Sequence, residues 1–304
     1  MEIRELVEKA FQRDLSDPSA LSDAFDTLRL LELEDFALAH ERNKEVRRLS
    51  AKFAAEQKNL RMFELNKRSL LFDAPYDFDA HCRYIEWNRE PSKRFYLPRR
   101  KQLYRVAKAL QRLADNELDL LAISLPPGVG KTTLALFFLT WLGGRNPEKP
   151  ILGGSHSNSF LRGVYDECLR IMDPQGDYLW HDVFPMVKVV KTNAQDMMID
   201  LGTDPKRGKR FATLEFSSVG SGNAGKVRAE NLLYCDDLVD GLESALSKER
   251  MDKLWNLYAT DLRQRKIGNC KELHIATRWS VHDVIGRLDV MYSDSDRSEF
   301  IVMP

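Results

Sequence analysis

At 304 residues and 43% hydrophobic content the chain can bury a substantial core, and it exceeds the usual size of one domain, so one large domain with a smaller appendage is expected. Its 46 Lys and Arg balance 46 Asp and Glu, so any affinity for nucleic acid must come from local clusters and not from net charge. Cys82, Cys168, Cys235 and Cys270 stand far apart with no C-x-x-C pair, MEIRELVEKAF is charged from its second residue, and nowhere do 18 uncharged apolar residues run together. These features indicate neither a zinc site nor a disulfide framework and show no apolar signal region or membrane-spanning run, and they predict a soluble protein of a reducing cytoplasm.

Residues 1–75 carry few glycines or prolines and are dense in Leu, Ala, Glu, Lys and Arg, a composition that predicts helices. Asp17-Pro18 separates a first short helix from a longer region. Leu49, Phe53, Leu60, Phe63 and Leu70 recur at spacings compatible with one helical stripe, so this region is expected to pack its apolar face. We read 1–75 as a helical N-terminal subdomain and 76–304 as a second domain. Glu41 to Arg68 holds nine Lys and Arg against four Glu, the pattern of a solvated helix face. Pro75, Pro91 and Pro98 punctuate a connector with many aromatics from Tyr76 to Tyr96, and 100–113 reads as a basic helix. From Arg83 to Arg112 the count is ten Lys and Arg against two Glu.

Beyond this point strands and helices alternate in the manner of a mainly parallel sheet covered by helices. Strands are predicted at 118–125, 150–155, 187–190, 197–201, 211–217, 232–235 and 273–277, with helices at 132–142, 158–172 and 248–262. The stretch 118–140, LDLLAISLPPGVGKTTLALFFLT, sets PPGVGKTT between a strand-like and a helix-like run. Glycine backbone at such a turn can aim several N–H groups at one oxyanion, and the helix adds the positive end of its dipole. Pro127, Gly128, Val129, Gly130, Lys131, Thr132 and Thr133 are therefore the candidate phosphate loop for ATP. Lys131 would reach the β- and γ-phosphates and Thr132 would hold Mg²⁺. The pattern G-x-x-x-x-G-K-[ST] wants glycine where Leu125 stands, and two prolines follow, so the cradle must come from the amides of Gly128 to Thr132.

Leu232, Leu233, Tyr234 and Cys235 lead into Asp236-Asp237, the shape of a buried strand ending in carboxylates. Adjacent residues leave a strand in different directions. Asp236 is accordingly assigned to the metal and Asp237 to the attacking water, the two tasks that nucleotide hydrolysis gives to carboxylates.

Taken together these stretches resemble the ATPase domain of the large terminase subunits of tailed bacteriophages, motors that package DNA into proheads. The resemblance runs from about Leu97 to Pro304. It rests on LPPGVGKTTLALFFLTWLGGRNPEKPILGGSHS, SSVGSGNAGKVRAENLLYCDDLVDG and ELHIATRWSVHDVIGRL, in that order. It implies an α/β fold of the additional-strand (ASCE) P-loop NTPase type, with a mainly parallel central sheet flanked by helices. It also implies ATP hydrolysis with Mg²⁺ and translocation of double-stranded DNA in the host cytoplasm. The implied partners are a portal protein, a small terminase subunit and further copies in a homo-oligomeric ring, the isolated chain being a monomer. Gln102 in PRRKQLY resembles the family's adenine-reading glutamine, with a plain surface glutamine as the equal alternative. Thr277 in Ala276-Thr277-Arg278 resembles the coupling motif. Arg228 is the first choice for an arginine acting in trans, with Arg207 and Arg210 as competitors.

Two departures stand out. Many members carry an arginine near the place of Val129, and this chain has none. The family's nuclease domain follows the ATPase, and the chain is expected to lack it, with Asp289, Asp294, Asp296 and Glu299 read as a solvated loop. The rival readings are a helicase-like ATPase and a nucleotide-dependent assembly adaptor.

Overall fold

The computed structural model describes residues 2–126, 128–204, 206, 209–220 and 227–303. The chain divides into two compact units, Met1–Trp87 and Asn88–Pro304.

The first unit is helical: α1 (Ile3–Phe11), α2 (Pro18–Leu31), α3 (Phe36–Gln57), α4 (Leu60–Asp73) and α5 (Phe78–Ile85). Short polar residues set the starts of four of them, because a side-chain oxygen can take the N–H groups that a first turn leaves without partners. Asp17 accepts from Ser19 and Ala20, Asp35 from Leu38, Asn59 from Arg61 and Met62, and Asp77 from Ala80. Phe25, Leu28, Val46, Phe53, Met62 and Leu65 lie in one buried cluster. Beside it His40 bridges Asp73 (2.6 Å) and Glu32 (3.3 Å), and Arg47 holds the other oxygen of Asp73 at 2.8 Å.

Two expectations for this region are corrected. The unit runs past residue 75 to Trp87, because the aromatic stretch after Pro75 folds into α5, whose buried face includes Phe78, Cys82 and Ile85. The five-residue stripe is not one face. Lys58 adopts a left-handed conformation (φ 49°) and Asn59 caps a new helix, which leaves Leu60 and Phe63 exposed while Phe53 and Leu70 are buried.

The second unit opens with α6 (Tyr96–Ala114) and builds an α/β sheet from β1 (Leu120–Ser124), β2 (Ile151–Ser155), β3 (Lys188–Asn193), β4 (Met198–Gly202), β5 (Leu214–Ser218), β6 (Leu232–Asp236), β7 (Lys271–Ala276) and β8 (Ser298–Val302). The helices between them are α7 (Lys131–Arg145), α8 (Asn158–Ile171), α9 (Trp180–Val183), α10 (Gly241–Ala245), α11 (Lys248–Leu257) and α12 (Val284–Tyr292), and a π-helical turn Tyr258–Leu262 extends α11. The eight strands lie in the order β3-β4-β5-β2-β6-β7-β1-β8. The β3–β4 and β4–β5 pairs are antiparallel and the others parallel.

β1, β2, β5 and β6 are buried along their whole length, so β1, β2 and β6 up to Asp236 read as unbroken apolar or small-residue runs and not as alternating ones, whereas Glu215 interrupts β5. On one face the π-turn and α12 bring Tyr258, Leu262, Val284 and Leu288 onto Leu120, Leu152, Leu233 and Cys235. α6, α7 and α8 contact strands or one another on the way between β1, β2 and β5. The consequence for function is positional. β7 lies between β1 and β6, and parallel pairing brings the carboxyl ends of β1, β2, β6 and β7 to one edge of the sheet, where ligands of open α/β sheets bind. No helix among the described residues is long and apolar enough to cross a membrane.

Candidate functional site

At that edge the loop between β1 and α7 is built on two glycines in the left-handed region, Gly128 (φ +82°) and Gly130 (φ +95°). Side chains there would strain the backbone. A Cβ on Gly128 would point into open space, whereas one on Gly130 would sit 2.2 Å from the ring of Phe95, the residue before α6. Gly130 also precedes the first turn of α7 with no side-chain cap, so that helix start keeps N–H groups for a ligand. Val129, Thr133 and the side chains of Lys131 and Thr132 are partly buried around it. Pro127 lies outside the described residues.

Lys131, the first residue of α7, donates from Nζ to Thr277 Oγ1 at 3.0 Å and stands 3.6 Å from Asp237 Oδ1. The backbone N–H of Thr277 donates to the same Asp237 oxygen at 3.2 Å. One residue along α7, Thr132 Oγ1 donates to Asp236 Oδ2 at 3.2 Å. Lysine, two carboxylates and two threonines from β6, α7 and the end of β7 thus converge at one point.

The two aspartates differ in their surroundings. Asp236 is fully buried, and burial pushes its carboxyl up to about 7, with the charge of Asp237 adding and the Tyr234 hydroxyl and Lys131 opposing. Tyr234, two residues back on the same face of β6, donates to Oδ2 at 2.5 Å, while the buried Oδ1 has no hydrogen-bond partner among the described residues. A buried acceptor left unmade costs free energy that a hard cation would recover. The donor set of Asp236 and Thr132, both oxygen, therefore fits Mg²⁺. Asp237 is one-third exposed and turned toward Lys131, with its backbone at φ +39°, a conformation uncommon outside glycine.

That backbone is held from β2. Gly154 pairs with Cys235, which puts Ser155 and His156 beside the end of β6. His156 Nδ1 donates to the carbonyl of Asp237 at 2.5 Å, and Ser155 Oγ approaches the same oxygen at 3.5 Å. His156→Leu should lower stability by roughly 0.5–1.5 kcal/mol, the worth of one hydrogen bond, and His156→Asn, which can donate from nearly the same place, should recover most of it. Thermal melting of the two variants reads the difference; equal losses would mean that the ring packs and does not hold Asp237.

Tyr234, His156, Ser155 and Phe95 join the site without having been singled out by sequence pattern. Tyr234 does carry a signal, since the residue two before a strand-end aspartate shares its face. His156 and Phe95 do not, because their neighbours are set by strand order and helix packing. Arg278, next to Thr277, turns away to Asp289 on α12 at 3.0 Å, so Asp289 is a helix residue in an ion pair and not part of a solvated loop. Glu299 likewise sits on β8, 2.6 Å from Arg112.

Gln102 is exposed on α6, roughly 10 Å beyond Phe95 along the helix axis, and its side chain makes no hydrogen bond among the described residues. Arg228 is at the other edge of the sheet. The N–H of its neighbour Ala229 donates to the carbonyl of Arg265 before β7, and that of Glu230 to the carbonyl of Pro150 before β2. The length of β6 separates Arg228 from Asp237, so it cannot serve its own chain's site. Its guanidinium lies 5.5 Å from the Phe211 ring, which Arg210 also approaches at 5.2 Å, and 3.7 Å from Glu230. Arg207 lies outside the described residues. Compared with known protein families and with curated proteins, the chain matches none of them.

Proposed function

We propose that the second unit is an ATP-hydrolysing motor domain of the P-loop, additional-strand type, and that it serves to move double-stranded DNA as in the large terminase subunits it resembles. The observation that carries the reading is the convergence of Lys131, Thr132, Asp236, Asp237 and Thr277 beside a glycine loop at a helix start, with β7 interposed between β1 and β6.

The chemistry follows from these contacts. Without nucleotide Lys131 is neutralised by Asp237, and the phosphates of ATP are a stronger partner for it. Transfer of the ammonium to the β- and γ-phosphates frees Asp237 to orient water and take its proton. Asp236 and Thr132 would hold Mg²⁺, which when bound neutralises charge on the phosphate oxygens. Thr277 loses its lysine donor when Lys131 moves, and through β7 it reports the state of the γ-phosphate. Gln102 is kept as the candidate for the adenine. Arg228, out of reach of its own site, is proposed to act on a neighbour's ATP within a ring on the prohead, where portal protein and small terminase subunit are the expected partners.

The test is phosphate release by the purified chain as a function of protein concentration, with and without duplex DNA. Turnover per chain should rise with concentration, because an arginine acting in trans contributes roughly three to five powers of ten. Arg228→Ala should remove that rise. Strand separation of a forked duplex would favour the helicase-like rival, and tight ATP binding without turnover the assembly adaptor.

A further inference from the structure

A cavity of about 880 Å³ lies farther along the carboxyl edge of the sheet, on the β5 side, between the first turns of α8, the β3–β4 turn and β5. Asn158, Ser159 and Arg162 form one wall; Asp196, Met198 and Glu215 form the other. Glu215 is only 8% exposed, and its carboxyl, which opens into the cavity, has no hydrogen-bond donor and no cation beside it among the described residues. Burial pushes that carboxyl up to about 7, and the charge of Asp196 adds to the rise. Across the cavity Arg162 approaches the ring of Tyr165 at 5.7 Å and forms no ion pair among the described residues. Among the described residues the cavity therefore holds two carboxyls without a cation at one end, the buried Glu215 and the exposed Asp196, which accepts from Asn193 Nδ2 at 2.6 Å, and an exposed guanidinium without an anion at the other.

A carboxyl on a largely buried residue, reached from solvent only through the cavity and with no cation beside it among the described residues, is an acceptor for something that enters. The described residues offer no group of three or more metal-ligating side chains, and the space exceeds that of a bare ion. We infer that this cavity binds an organic cation of side-chain size, a guanidinium or alkylammonium on a chain whose other end is a carboxylate or carbonyl, the chemistry of arginine or lysine, free or within a peptide. The cationic end meets Glu215 and Asp196 with charge-assisted hydrogen bonds, and the acceptor end meets Arg162. The inference stands apart from ATP hydrolysis, since none of these residues belongs to the nucleotide site.

Calorimetric titration of the full chain with three probes tests it: L-arginine, N-acetyl-arginine-N-methylamide and agmatine. L-arginine should bind at pH 8, and E215Q should weaken it roughly tenfold or more while D196N weakens it less. Affinity should climb from pH 6 to pH 8, because the cation prefers ionised Glu215, and E215Q should flatten that climb. Agmatine, which lacks an acceptor end, should bind less tightly than L-arginine, and R162A should erase the gap. A capped arginine that binds as well as the free one marks a peptide as the natural source; a weaker one marks the free amino acid. Absence of binding by all three probes, or equal binding to E215Q, would overturn the proposal.

Discussion

Asp237→Asn should bind ATP at least as well as the parent chain and lose roughly a hundred- to ten-thousand-fold in turnover, the range that a positioned general base supplies. Asparagine can still accept the N–H of Thr277, which Asp237 takes at 3.2 Å, so the loop geometry survives. It cannot take a proton from water. It also removes the charge that holds Lys131 at 3.6 Å, which leaves the ammonium freer for phosphate. Binding and chemistry should therefore separate in this variant, whereas Lys131→Ala should damage both. A pre-steady-state comparison of nucleotide binding and phosphate release measures the split, and unchanged turnover in Asp237→Asn would remove Asp237 from the chemistry.

For Asp236→Asn the expected loss is about two to four powers of ten in Mg²⁺-dependent turnover, because the metal's charge acts directly on the reacting phosphoryl group. Stability should move the other way. The wild-type carboxyl is fully buried with Oδ1 unpartnered and its pKa raised by burial, so a neutral amide of the same size relieves an uncompensated group. Melting at pH 8 should show the variant at least as stable as the parent, which distinguishes loss of a metal ligand from loss of fold. A variant that melts lower and turns over normally would show that Asp236 serves the core alone.

The parts of the site carried by local pattern are legible in the sequence. β1, the glycine loop and α7 announce themselves because a fully buried strand is an unbroken apolar run, and because Gly128 and Gly130 mark the left-handed turns that follow it. β6 ends at Asp236 as its apolar run suggests, and β7 delivers Thr277. What local pattern does not carry is lateral order. Nothing local in His156 says that β2 neighbours β6, and nothing in Phe95 says that its ring meets Gly130. The helical stripe fails for the opposite reason: local backbone at Lys58 and Asn59 overrides a periodicity that looks continuous. α5 is hidden among aromatics because a helix of eight residues carries too few turns to show a period.

The central claim is that the loop from Gly128 to Thr133 presents ATP to Asp237, and steady-state release of phosphate from γ-labelled ATP, run beside Lys131→Ala from the same purification, tests it most directly. The parent should release phosphate in a Mg²⁺-dependent manner and the alanine variant should release none above background. No release by the parent at any protein concentration, or equal release by the two, would contradict the account.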